Sequence, residues 1–174
     1  VKNADGMIVV DHHEYSQDDV DEARKRFKKL YLIINLNAKS TLEILVGEEL
    51  AKIANISDHP GKYVGRVPIE EILEIQSIKA YIPFIDTEEI KKSISYCSTL
   101  GSKRDALKCI YEMVEKSVER EEREKYKSKV YEHLEELKRG NIIVYIGEEK
   151  NLRDNIFNRS VTDALFPLSK REAI

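Results

Sequence analysis

The sequence has little cysteine and no long hydrophobic run, and each shortage excludes a class of protein. Its two cysteines, Cys97 and Cys109, are too few for a disulfide framework and lack the second pair that a structural zinc site requires. We expect both to be small buried side chains. No apolar run approaches the length of a membrane-spanning helix, and the first residues contain no signal-peptide core. These absences predict a cytoplasmic protein that does not enter a membrane.

Charge of one sign is not in excess either. The 29 lysines and arginines nearly cancel the 32 aspartates and glutamates, which leaves a net charge of −3 although charged residues make up 35% of the chain. This balance does not indicate a nucleic-acid binder by bulk charge, but it is compatible with a local basic patch. The length of 174 residues suggests one ordinary domain or two small ones.

The most informative stretch is the apolar run over residues 7–10, which is followed at once by Asp11, His12 and His13. Such a run is typical of a buried strand. In an open α/β sheet the ligands bind at the carboxyl ends of the strands, so we expect these three side chains at that rim. Carboxylates and neutral imidazoles both bind divalent metals. An equally supported alternative is that Asp11 only caps the turn after the strand.

A second apolar run, residues 30–34, follows a helix that Ser16 is predicted to cap. Two apolar strands joined by a helix predict a βαβ unit with parallel strands. The two strand ends would then share one edge of the sheet and bring residues 11–13 toward residues 35–41. Ser40 or Thr41 is predicted to cap the next helix, over residues 41–54.

The middle of the chain is predicted to be mainly helical. Residues 78–85, which contain Pro83, suggest a short strand or an extended connector. One apolar stripe continues through residues 102–140, although residues 119–125 are entirely charged. This pattern predicts either one long helix or two helices that break near the charged run.

The C-terminal part is predicted to form a small β-α unit. A third apolar strand is expected over residues 141–147, followed by a helix over residues 148–166 that Pro167 ends. The predicted fold class is therefore α/β, with a parallel-sheet βαβ core, a long connecting helix and this small C-terminal β-α unit.

The Val-Val-Asp-His-His sequence of residues 9–13 resembles the signature of the DHH phosphoesterase superfamily, which includes the RecJ exonucleases. Residues 35–43, Asn-Leu-Asn-Ala-Lys-Ser-Thr-Leu-Glu, are similar to the segment that ends the family's second strand and opens a helix. The resemblance implies a DHH-like α/β domain over residues 1–101, with truncation left open. It also implies a connecting helix over residues 102–140 and a DHH-associated-like unit over residues 141–174.

The resemblance also implies roles for individual residues. In an active member the metal, Mn or Mg, would be held by Asp11 and His12. Phosphate would be bound by His13, Asn35, Ser40 and Thr41. Active members carry further aspartates upstream that complete a two-manganese site, whereas here only the Asn-Ala-Asp-Gly sequence of residues 3–6 is similar to that motif. It lies too near the strand for the intervening elements to fit.

The leading expectation is therefore a noncatalytic or weakly catalytic RecJ-like DNA replication factor. Such proteins act as scaffolds in archaeal and eukaryotic replication, where they bind the GINS complex and the replicative helicase, and this role requires no cofactor. The alternative is an active manganese-dependent DHH phosphoesterase or single-strand DNA exonuclease, with single-stranded DNA as its partner. A third possibility is an unrelated α/β interaction domain in which Asp-His-His is accidental. Enzymatic activity is left open, and the missing aspartate motifs weigh against an active nuclease.

Overall fold

The computed structural model of the protein describes residues 5–141 and 152–172. Its contacts divide the chain into two compact units, Val1–Asp58 and His59–Ile174. The described residues form a mixed α/β structure that is mostly helical and contains one small parallel sheet of two strands. The predicted α/β class is confirmed at this level, while a larger parallel-sheet core stays a prediction. Of the predicted third strand, residues 141–147, all but the first residue lie outside the described residues.

The first unit begins with the predicted βαβ arrangement. Strand β1 (Gly6–Asp11) and strand β2 (Lys29–Ile34) pair in parallel and are joined by helix α1 (Gln17–Arg26). Ser16 caps α1 as predicted, because its side chain accepts a hydrogen bond from the Asp19 backbone N–H while the Asp19 side chain accepts one from the Ser16 backbone. The parallel βαβ prediction is therefore confirmed.

The prediction that both strands are buried is wrong. Apolar side chains on both strands are exposed, and Ile8 has the largest exposed fraction among them, 67%. The physical reason is the size of the sheet, since each strand has one neighbour among the described residues. The faces of a two-stranded sheet are buried only by elements that pack on them, and α1 contacts β2 sparsely.

The predicted helix over residues 41–54 forms as two shorter helices. These are α2 (Thr41–Val46) and α3 (Lys52–Asp58), and they are separated at Gly47, which has a φ of 86°. A positive φ ends a helix and is accessible to glycine without strain, so Gly47 stops α2.

The second unit consists of helices, and its described elements contain no strand. After a short 3-10 helix at Pro60–Lys62 follow α4 (Ile69–Tyr81), a second 3-10 helix at Ile82–Phe84, α5 (Thr87–Cys97), α6 (Lys103–Ser117), α7 (Arg120–Lys138) and α8 (Leu152–Glu172). Helix α4 lies at the centre, because it contacts both α7 and α8. The core contains Leu73, Ile78, Ala80, Tyr81, Val118, Tyr126, Val130, Leu134, Val161, Ala164, Leu165 and Leu168.

Two predictions for this unit are wrong, and the structure decides between the alternatives of a third. Residues 78–85 complete α4 and a 3-10 turn and form no strand. The connector over residues 102–140 is two helices, the second of the two predicted alternatives, and the break falls at Val118, whose backbone is extended and whose side chain is buried. Helix α8 continues through Pro167. Pro167 lies directly against Gly61, so packing favours the helical position of this proline.

Cys97 is fully buried as expected, whereas Cys109 is half-buried, and the sequence did not predict that the two side chains are joined. Cys97 and Cys109 form a disulfide between α5 and α6, with their Cα atoms 5.6 Å apart. The turn over residues 98–102 places the end of α5 beside the second turn of α6, and this geometry brings the two sulfur atoms together. Among the described residues, no helix combines the length and the apolar composition that crossing a bilayer requires.

Candidate metal site at the end of strand β1

The site is built where the two parallel strands end. Asp11 is the last residue of β1 and is paired with Ile34, the last residue of β2. Parallel strands end at the same edge, so the segments that follow them meet there. The meeting is direct, because the Thr41 hydroxyl lies 3.4 Å from Asp11 Oδ1 and 3.3 Å from His12 Nδ1. Residues 11–13 thus approach residues 35–41 at Thr41, as predicted.

Asp11, His12 and His13 form a compact group of metal-ligand atoms. One ligand atom from each residue can be chosen so that all three lie within 4.8 Å of one another. The side chains differ in accessibility: 19% of Asp11, 9% of His12 and 68% of His13 is exposed. The two imidazole rings are tilted against each other with their centroids 4.0 Å apart. The group is therefore closed on the His12 side and open to solvent on the His13 side.

Hydrogen bonds hold the Asp11 carboxylate in place. Its Oδ1 accepts from the His12 backbone N–H at 2.7 Å and lies 2.9 Å from His13 Nδ1. Its Oδ2 accepts a short hydrogen bond from the Tyr15 hydroxyl. The bond from Tyr15, the bond from His13 and the backbone bond from His12 together lower the pKa of Asp11 well below its usual range. The carboxylate is therefore ionised at neutral pH, as a metal ligand must be.

Tyr15 is a site residue that the sequence did not indicate. It lies in the loop between β1 and α1, and its hydrogen bond to Asp11 raises the pKa of the Tyr15 phenol. A single tyrosine in a polar loop carries no periodic or motif signal. Its spacing of four residues from Asp11 is meaningful only once the chain is known to turn between them.

The other predicted site residues have local structural partners. Ser40 is buried; its hydroxyl accepts from the Glu43 backbone N–H at 3.2 Å and donates to Asn55 Oδ1 at 2.5 Å. Asn35 Oδ1 accepts from the Asn37 backbone N–H at 3.1 Å. Ser40 is thus a helix cap and Asn35 shapes a turn, whereas Thr41 contacts the donor group directly. Their predicted phosphate contacts stay predictions.

The donor set fits a divalent cation of intermediate softness. One carboxylate and two imidazoles are ligands for Mn²⁺, Zn²⁺ and related ions, while hard cations such as Mg²⁺ favour oxygen ligands. In the described part of the chain, no fourth Asp, Glu, His or Cys side chain joins the group. A bound ion would therefore complete its coordination with water or with a ligand oxygen, which leaves positions open for chemistry.

No protein-family model, no curated protein and no solved structure matches the chain. The geometry of the site and the resemblance of its Asp-His-His sequence to the DHH signature are therefore what bears on its role.

Proposed function

We propose that the end of β1 binds a divalent cation, Mn²⁺ if the resemblance to the DHH signature holds, and that the chain is a DHH-like module. The observation that carries this proposal is the group of Asp11, His12 and His13, whose ligand atoms lie within 4.8 Å of one another directly after a parallel strand. Hydrogen bonds hold the Asp11 carboxylate beside the two imidazoles, so the group offers one anionic ligand and two neutral ones.

The neighbouring residues suit this role. When bound, the cation would supply positive charge for an oxygen of a phosphate ester. The Thr41 hydroxyl lies within hydrogen-bond reach of both Asp11 and His12, so it orients two ligands at once. The exposure of His13 leaves the group accessible to a ligand from solvent.

Titration of the purified chain with Mn²⁺ by calorimetry tests the proposal. We expect one site, with affinity at least about tenfold weaker in Asp11→Asn because the charged ligand is lost. Asp18→Asn is the matched control, since Asp18 is an exposed carboxylate in the first turn of α1, outside the donor group. Equal binding by Asp11→Asn, or no binding at millimolar Mn²⁺, would contradict the proposal.

We further propose that the module is noncatalytic or weakly catalytic and acts as a cytoplasmic RecJ-like replication scaffold that binds the GINS complex and the replicative helicase. Within the described residues Asp11 supplies the one carboxylate of the donor group, and two-metal hydrolysis relies on further carboxylates to hold a second ion. Exposed apolar side chains on β1 and β2 support a role in protein assembly, because such surfaces are commonly covered by partners.

Hydrolysis of end-labelled single-stranded DNA in the presence of Mn²⁺ separates this role from the alternative enzyme. We expect little or no cleavage that depends on Asp11, together with co-elution of the chain with purified GINS complex in gel filtration. Robust Mn²⁺-dependent cleavage that is lost in Asp11→Ala would instead establish the active phosphoesterase. Absence of both cleavage and co-elution would contradict the replication role.

A further inference from the structure

We infer that Tyr15 controls the affinity of the site, because its hydroxyl occupies the Asp11 oxygen that a cation needs. This inference rests on the proposed metal binding at Asp11. It assigns to Tyr15 the role of a positioning residue that acts through Asp11: it caps the carboxylate in the free protein and leaves it when the cation binds.

The distribution of hydrogen bonds on Asp11 carries the argument. Oδ1 is surrounded by three donor groups, the His12 backbone N–H, the His13 ring and the Thr41 hydroxyl. Each carboxylate oxygen offers about two lone-pair directions. Oδ1 is therefore fully used, and Oδ2, which accepts from the Tyr15 hydroxyl, is the oxygen with capacity for a cation.

The bond from Tyr15 competes with a cation for electron density on that oxygen. A hydroxyl that donates to a carboxylate forms a charge-assisted hydrogen bond, which is among the stronger kinds. A cation that approaches Oδ2 meets this donor hydrogen, and the two positive centres repel each other. Binding must therefore displace the Tyr15 hydroxyl or share the oxygen at a cost in affinity.

Tyr15 is placed so that it can move without disturbing the fold. It lies outside every helix and strand, and 41% of the residue is exposed. The next residue, Ser16, caps α1 through its own bonds with Asp19. Rotation of the Tyr15 side chain therefore leaves the cap and the βαβ unit intact.

Mn²⁺ titration of Tyr15→Phe tests the inference. Removal of the hydroxyl frees Oδ2, and we expect binding about tenfold tighter than in the wild type, on the order of the loss of one hydrogen bond to a charged group. Tyr31→Phe is the matched control, because Tyr31 is another exposed tyrosine of the same unit that lies on β2. We expect its affinity to equal that of the wild type.

A second readout follows the phenol itself. In protein labelled with ¹³C on its tyrosine rings, the Tyr15 resonance is identified by its absence from Tyr15→Phe. Saturation with diamagnetic Zn²⁺ should shift this resonance toward the position that it has in metal-free Asp11→Asn. A tyrosine that serves only to pack the loop would not respond in this way.

The outcomes separate the inference from the proposed function. If neither the wild type nor Tyr15→Phe binds Mn²⁺, the metal site itself is refuted. If the wild type binds through Asp11 but Tyr15→Phe binds equally or more weakly, the metal site stands and the role of Tyr15 is overturned. Binding by both proteins that is about tenfold tighter in Tyr15→Phe, with Tyr31→Phe equal to the wild type, supports the capping role.

Discussion

The two units use apolar and charged residues in opposite ways. In the first unit the apolar side chains of β1 and β2 are largely exposed. The Asp11 carboxylate of the candidate site is held there by hydrogen bonds, one of them from Tyr15. In the second unit the apolar side chains of α4 are almost all buried. There, Glu74 pairs with Arg123 and Lys127 across two helices. Among the described residues, the second unit thus buries its apolar side chains in a core, whereas the first unit exposes those of its sheet and holds the candidate metal site at the end of β1.

Removing a core aromatic residue from the second unit should lower the free energy of unfolding more than any other change proposed for this comparison. Tyr126 is fully buried, its ring meets Phe157 edge to face, and its hydroxyl donates to the Ser160 carbonyl at 3.0 Å. We expect Tyr126→Ala to lower the free energy of unfolding by about 3–5 kcal/mol, measured by urea denaturation. Tyr31→Ala, at an exposed strand position, should change it by less than about 0.5 kcal/mol. Similar losses for the two variants would contradict the contrast.

A smaller effect is expected where Gly61 meets α8. A Cβ added at Gly61 would lie 2.8 Å from Pro167 Cβ, closer than real Cβ contacts. We expect Gly61→Ala to cost about 1–3 kcal/mol through overpacking, observed as faster hydrogen exchange in the α8 peptides. Gly101→Ala is the control, because a Cβ at Gly101 would meet nothing within 4 Å. An unchanged α8 in Gly61→Ala would show that Pro167 does not depend on this contact.

In the first unit, helices α2 and α3 are joined by buried hydrogen bonds. Asn55 is fully buried in α3; it accepts from the Ser40 hydroxyl and donates to Glu43 Oε2 at 2.8 Å. We expect Asn55→Ala to cost about 1–2 kcal/mol, because two buried partners lose their hydrogen bonds. Hydrogen exchange should rise in α2 and α3 and stay unchanged in α4. Equal protection of α2 in the variant would mean that apolar contacts hold this region.

The smallest effect is expected for the charges of the second unit, and it depends on pH. Burial alone would raise the pKa of Glu74, but hydrogen bonds from Lys127 and Arg123 outweigh burial and lower the pKa below the ordinary 4.5. The stabilisation by ionised Glu74 is therefore present above about pH 4.5 and is lost as the pH falls through the lowered pKa.

We expect Glu74→Gln to cost about 1 kcal/mol at pH 7, since the three side chains are partly exposed and Arg123 keeps Glu115 at 3.0 Å. The gap between variant and wild type should shrink as the pH falls below about 4.5, measured by urea denaturation across the acid range. A gap that stays constant with pH would show that the loss comes from packing. Glu88→Gln, at an exposed position of α5, is the control and should be neutral.

Local signals allowed part of this structure to be predicted. The run of residues 7–10, the cap at Ser16 and the run of residues 30–34 each have short-range patterns, and they correctly gave the parallel βαβ unit. The Asp-His-His sequence predicted the group of metal-ligand atoms because its three residues are adjacent in the sequence and follow the strand directly. The role of Tyr15 could not be predicted, because its hydrogen bond to Asp11 depends on the path of the loop between β1 and α1. Residue propensities do not specify the path of such a loop.

The sequence by itself determined which segments are strands or helices wherever periodicity and caps agree, and it placed Asp11 at the end of β1. Only the tertiary structure decided the burial of those segments, because burial depends on what packs against a strand and not on the strand's composition. It also decided that α8 continues through Pro167 and that Cys97 meets Cys109. In each case long-range packing overrides a local preference, since the contacts of a folded chain join residues that the sequence separates.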